Sequence, residues 1–193
     1  MHIPQEYWYA TVQGIPESVR ETLLRYLTRV EEFVHRPMGL MLTGSVGVGK
    51  TSAATVVAKE ARCHGKSVYF VSVWELREDI RNRVQFDESH TSLVRCREVD
   101  LLVLDALRVE DAGIPFFGAR ELEELIQDRT SHKRATLLTT RMGVSELRKG
   151  GFAGLLDMML GSVLPLDVKG PNLREAQHAD LMQELHGAKK GTG

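Results

Sequence analysis

A chain of 193 residues is one domain of comfortable size, or one domain with a small appendage, and can bury a full core. Its formal net charge of −1 excludes a global field that would draw it onto nucleic acid or a membrane, so any such contact must come from a local patch. Two cysteines, Cys63 and Cys96, exclude a disulfide framework and a zinc site, and both are expected as small buried or half-buried side chains.

No apolar stretch approaches membrane length and no charged-then-apolar leader is present, which reads as a soluble, cytoplasmic chain with no membrane partner. Residues 1–15 carry Ile3-Pro4 and the aromatics Tyr7, Trp8 and Tyr9. They are too short for a domain and too apolar for a loose tail. Two readings stay open: a strap that covers a nucleotide base, or an edge packed on the core. Pro16 opens a helix in which Val19, Leu23, Tyr26, Leu27, Val30, Phe33 and Val34 recur at three- and four-residue spacing, ending near Arg36-Pro37.

An apolar run, Leu40 to Leu42, then leads into G-S-V-G-V-G-K-T, residues 44–51, which fills the template G-x-x-x-x-G-K-[ST] in a strand, loop, helix context. Glycines at 44, 47 and 49 let the main chain curl around an anion, so that backbone N–H groups converge on a phosphate. Gly44, Ser45, Val46, Gly47, Val48, Gly49, Lys50, Thr51 and Ser52 form the expected nucleotide loop, with Lys50 on the phosphates and Thr51 on Mg²⁺.

Ser67 to Val73 is a β-branched and aromatic run that fits a buried parallel strand. Trp74 to Val99 is amphipathic and carries Arg77, Arg81, Arg83, Arg95 and Arg97. The arginines either lie on a solvated helical face with Glu75, Glu78 and Asp79, or form a basic surface for single-stranded nucleic acid. Asp100 to Asp105, D-L-L-V-L-D, reads as a central strand whose terminal carboxylate would hold Mg²⁺ through water, opposite Thr51. The next residue, Ala106, has no group to polarise an attacking water. Glu110 or Asp111 could replace it only if their loop folds back.

Phe117 to Thr130 is expected as a helix, and Ala135 to Thr140 as a strand whose polar end suits a sensor of the third phosphate. A short helix from Ser145 to Arg148 is broken at Gly150-Gly151, and a Met-rich helix runs from Phe152 to Leu160. Ser162 to Val168 forms a last strand, with Pro165 suggesting an edge. A final helix covers Leu173 to His186, closing a single domain of residues 16–186, and residues 187–193 are expected to be disordered. Alternating strands and helices imply an α/β fold: a parallel five-stranded sheet with helices on both faces and nucleotide at the strand C-termini.

Taken together, Ile3-Pro4, Tyr9-Ala10, G-S-V-G-V-G-K-T, D-L-L-V-L-D, the L-L-T-T strand end and G-P-N-L-R after the last strand resemble the AAA+ ATPases of the DnaC/IstB group. These are bacterial helicase loaders and the ATPase partners of insertion-sequence transposases. The resemblance implies an AAA+ P-loop fold, ATP and Mg²⁺ as cofactors, and a catalytic set of Lys50, Asp105, Thr140 at the first sensor position, and Arg174 against the third phosphate. It also implies a replicative helicase or transposase as partner, single-stranded DNA, and a homo-oligomer on nucleotide or DNA binding. The pattern departs at Ala106, at Arg141 after T-T where asparagine is usual, and in the helix Phe152 to Leu160, which lacks the arginine that acts on a neighbouring subunit. Arg148 or Arg129 could supply one from elsewhere. The partner-binding domain that precedes the core in a typical loader is not expected in this chain. The reading is an ATP-binding protein that controls assembly with weak or absent hydrolysis; the alternatives are a non-hydrolysing docking switch and a P-loop small-molecule kinase with a lid of Arg141, Arg148 and Arg174.

Overall fold

Five apolar runs become five parallel strands: β1 (Gly39–Thr43), β2 (Val68–Ser72), β3 (Leu101–Leu107), β4 (Ala135–Thr140) and β5 (Val163–Asp167). The computed structural model describes residues 3–82, 92–108, 110, 118–176, 179, 182 and 183. Strand order is β2-β3-β4-β1-β5, so β4 lies between β1 and β3 and the sequence's two phosphate-chemistry signals sit two strands apart. Strands β1 to β4 are covered on both faces, which is why they lack polar alternation. Pro165 stands on β5, an edge strand, where its missing N–H breaks no ladder, as the sequence suggested.

Alternate side chains feed two cores. Leu40, Leu42, Phe70, Val103 and Leu137 pack towards α1 (Glu17–Leu27), α2 (Val30–His35) and α3 (Lys50–Cys63). Met41, Val71, Leu102, Leu104 and Leu138 pack towards α4 (Val73–Asn82), α5 (Ser92–Glu98), α6 (Ala119–Ser131), α7 (Val144–Leu147) and α8 (Ala153–Met159). Each fully buried leucine contributes on the order of 2 kcal/mol.

Several boundaries differ from expectation. The single helix expected from Pro16 to Arg36 is two, parted at Thr28 and Arg29. Thr28 Oγ1 turns back to donate to Arg25 O at 3.0 Å, and Arg29 leaves helical backbone to grip Glu32 through two 2.8 Å hydrogen bonds. The apolar rhythm survives because Tyr26, Val30 and Phe33 still share a face, with Tyr26 and Phe33 stacked at 4.9 Å. Val73 starts α4 rather than ending β2. Ser72 Oγ accepts the Glu75 N–H at 3.0 Å while the Glu75 carboxylate accepts the Ser72 N–H at 3.0 Å, a reciprocal cap that stops the strand. Between α7 and α8 a wide turn runs through Gly151 at φ 94°. Arg83, Asp111 and the tail 187–193 lie outside the described residues, as does most of the expected last helix, which is helical over 173–176.

Cys96 is buried, and burial pushes its thiol up to about 12; Cys63 is exposed at the end of α3, against expectation. Among the described residues no helix is long and apolar enough to cross a membrane.

Candidate functional site

A cleft of about 690 Å³ opens at the C-terminal ends of β1, β3 and β4. Its floor is the loop between β1 and α3, where Gly44, Gly47 and Gly49 take φ of 135°, 81° and 95°. The demand is strictest at Gly44, where a Cβ would lie 2.2 Å from the backbone oxygen of Val168. Gly44→Ala is therefore expected to destabilise the fold by about 2 kcal/mol and lower the melting temperature by several degrees, read by calorimetry.

Lys50 opens α3 and folds back on the loop, its Nζ donating to Gly44 O at 2.7 Å and Ser45 O at 2.5 Å. Burial holds its ammonium below the ordinary lysine range, opposed by the Asp105 carboxylate nearby. One residue on, Thr51 Oγ1 donates to Asp105 Oδ1 at 3.1 Å. The hydroxyl of the loop and the carboxylate of β3 are thus brought together across the sheet, the pairing the sequence anticipated. Burial pushes the Asp105 carboxyl above the ordinary range, opposed by hydrogen bonds from Thr139 and Thr51 and by Lys50.

The end of β3 is bulged. Leu104 pairs with Leu138 but Leu107 with Thr140, so β3 spends one more residue than β4 over this span. Ala106 absorbs it in left-handed backbone, φ 61°, unusual for a residue with a Cβ. Thr139 stabilises the turn: its hydroxyl accepts the Ala106 N–H at 2.9 Å and donates to Asp105 Oδ1 at 2.6 Å. The threonine that meets Asp105 is therefore Thr139. Thr140 borders the cleft, yet its hydroxyl donates to Leu107 O at 2.9 Å and accepts the Met142 N–H at 3.2 Å.

Arg174 lies on the opposite wall. Leu173 N–H donates to Gly47 O at 2.9 Å, and Asn172 Oδ1 accepts the Arg174 N–H at 3.1 Å, so the segment after β5 is fastened to the glycine loop. The Arg174 guanidinium donates to the Tyr7 hydroxyl at 2.9 Å. Pro4, Glu6 and Tyr7 line the cleft while Ile3 packs into the core.

Of three other sequence candidates, two fall elsewhere. Arg129 is fully buried at the far end of the sheet and reaches no surface, so it is excluded as a residue acting on a neighbouring subunit. Arg148 donates to Asp157 of its own chain at 2.7 Å. Arg141 lines the cleft and donates to Glu110 at 3.0 Å. Among the described residues no three His, Cys, Asp or Glu side chains cluster to hold a metal.

The sequence matches the IstB-like ATP binding protein family over residues 6–182. It is 28% identical over 124 residues to the replicative helicase loader DnaC of Escherichia coli, 62% of this chain and 49% of that protein. It is 29% identical over 111 residues to an insertion-sequence ATP-binding protein of Pseudomonas fluorescens, 58% of this chain and 47% of that protein. This chain thus spans about half the length of these curated relatives. The fold is that of the crystal structure of the DnaC helicase loader (TM-score 0.72, 19% identity, 86% of this chain and 100% of that one). It is also that of the replication initiator DnaA bound to AMPPCP and single-stranded DNA (TM-score 0.71, 18% identity, 89% of this chain and 52% of that one). The fold class is the AAA+ P-loop arrangement read from the sequence, and the chain belongs to the IstB-like ATP-binding protein family.

Proposed function

We propose that this chain binds ATP with Mg²⁺ in the cleft and uses the bound nucleotide to control assembly on single-stranded DNA or on a helicase or transposase partner, with weak or absent hydrolysis. The observation that carries this reading is the Thr51–Asp105 pair, 3.1 Å apart above the glycine loop, followed by an alanine at 106.

The residues present fit both groups. A hydroxyl and a carboxylate are hard oxygen ligands of the kind Mg²⁺ takes while keeping several waters, so Thr51 and Asp105 would hold it, the rest coming from phosphate and water. When bound, the ion neutralises charge on the phosphates. Lys50 would exchange two neutral loop carbonyls for charged phosphate oxygens, and the stronger hydrogen bonds offset the desolvation that lowers its pKa. Thr139 keeps Asp105 aimed. No described carboxylate stands at the position of Ala106 to accept a proton from water, and Glu110 is engaged by Arg141.

The partner classes come from the relatives, a helicase loader and an insertion-sequence ATP-binding protein, and from the DNA-bound initiator of similar fold. Arg95 and Arg97 on α5 are exposed, with Glu98 among them. An oligomer would repeat so modest a patch in each subunit and sum many weak phosphate contacts. A specific observation also favours the docking-switch reading: among the described residues Arg148, in the turn before α8, is paired with Asp157 of its own chain.

Calorimetry with Mg²⁺-ATP is expected to show binding that Lys50→Ala weakens at least about 30-fold, the cost of removing one partner of a desolvated charge pair. Sedimentation with ATP and single-stranded DNA at low salt is expected to show a larger, DNA-bound species. ATP binding without DNA binding would remove the support for the loader reading and leave the switch.

A further inference from the structure

We propose that Tyr7 is a positioning residue that makes the cleft discriminate ATP from ADP, its hydroxyl holding the Arg174 guanidinium towards Lys50 and Asp105 for the third phosphate. This rests on the ATP-binding reading above.

Both partners are held by contacts within the chain. On the Tyr7 side, Ile3 is anchored in the core and accepts the Trp8 indole N–H at 2.9 Å, while the Tyr7 N–H donates to Pro4 O at 3.0 Å. Just beyond, Lys59 of α3 donates to the carbonyl oxygens of Trp8 and Ala10, the latter at 3.0 Å. The helix that begins with Lys50 therefore pins the strap immediately after Tyr7. On the other side, Leu173 and Asn172 tie the Arg174 backbone to the same glycine loop. The 2.9 Å bond from Arg174 to Tyr7 closes a ring of contacts around the cleft mouth, and both side chains line that cleft.

The chemistry of the acceptor matters. A guanidinium has five N–H groups in a rigid fork, and a single phenol oxygen on Nη2 orients the fork while leaving the remaining donors for phosphate. A phenol is neutral, so it fixes Arg174 without adding a negative charge of its own; the Glu6 carboxylate forms a second, exposed ion-pair contact with the same guanidinium nitrogen at 4.0 Å. Burial raises the Tyr7 pKa, so the phenol remains neutral throughout the physiological range. Arg174 lines the same cleft as Lys50 and Asp105, so its guanidinium borders the space in which those two residues meet a nucleotide's phosphates. Preorganised donors of this kind favour the ligand whose charge they face.

Equilibrium affinities for ATP and for ADP, each with Mg²⁺, test this by calorimetry. Tyr7→Phe, which keeps the ring and loses only the hydroxyl, is expected to weaken ATP about 5- to 20-fold and to leave ADP within about twofold. In an Arg174→Gln background the same substitution is expected to add nothing to the loss of ATP affinity. Equal losses for both nucleotides would make Tyr7 a packing residue and overturn the proposal. So would unchanged ATP affinity, tighter ATP binding, or losses that simply add in the double variant. A wild-type chain that binds neither nucleotide would fail the ATP-binding reading itself, and this proposal with it.

Discussion

Arg129→Met is expected to lower the free energy of unfolding by about 3–5 kcal/mol and the melting temperature by about 6–20 °C, the former read by denaturant titration and the latter by calorimetry. The side chain has no exposed surface and, among the described residues, no carboxylate partner, yet nearly every donor is used. Nε donates to Thr136 Oγ1 at 3.0 Å; Nη1 donates to Cys96 O at 2.6 Å and Val99 O at 2.9 Å; Nη2 donates to Ala135 O and, at 3.4 Å, Asp100 O. Three segments meet there: the last turn of α5, the approach to β3 and the start of β4. The guanidinium supplies what the carbonyls at the end of α5 otherwise lack, and its positive charge faces the negative end of that helix. Burial lowers its pKa to about 10, so it stays charged at neutral pH. Methionine fills the volume but leaves the carbonyls buried without donors, each costing about 1–3 kcal/mol. A loss under 1 kcal/mol would mean that water replaces the guanidinium and that the anchor is dispensable. ATP affinity of the folded fraction is expected to be unchanged, since the cleft lies at the opposite strand ends.

Ala106→Glu carries the largest expected effect on turnover. A positioned general base contributes about 10²–10⁴-fold, and position 106 borders the cleft with its side chain exposed. The backbone there is already left-handed, so glutamate adds little strain beyond what alanine bears. Steady-state ATP turnover with and without single-stranded DNA is expected to rise in this variant. Ala106→Gly, which relieves the backbone but supplies no carboxylate, is expected to stay at the wild-type level. Binding preserved with no rise in Ala106→Glu would mean that an arginine from a neighbouring subunit or a partner limits the reaction, and would favour the docking switch.

What was legible in the sequence was local in sequence. The glycine loop is one contiguous motif, and β3 announces itself by four apolar residues before an aspartate. The pairing of Thr51 with Asp105 followed once β1, which leads through the glycine loop into the helix of Thr51, and β3 lay in one parallel sheet. What was not legible depended on through-space accounting. Arg129 reads as one more polar residue on an amphipathic helix, because all its partners but Thr136 Oγ1 are backbone carbonyls that no residue type betrays. Thr139 and Thr140 look equivalent until the extra residue at Ala106 shifts β3 against β4 and decides which hydroxyl meets Asp105. The Ser72–Glu75 cap was readable as S-x-x-E and would have ended β2 one residue sooner. The break at Thr28 had no glycine or proline to mark it.

The two ends of β3 and β4 carry different burdens. At one end Arg129 knits the scaffold; at the other Asp105, Ala106 and Thr139 serve the cleft. Position 106 can therefore change its chemistry by a single codon while the anchor at the other strand ends is untouched, so the cleft can be altered without risking the body that carries it.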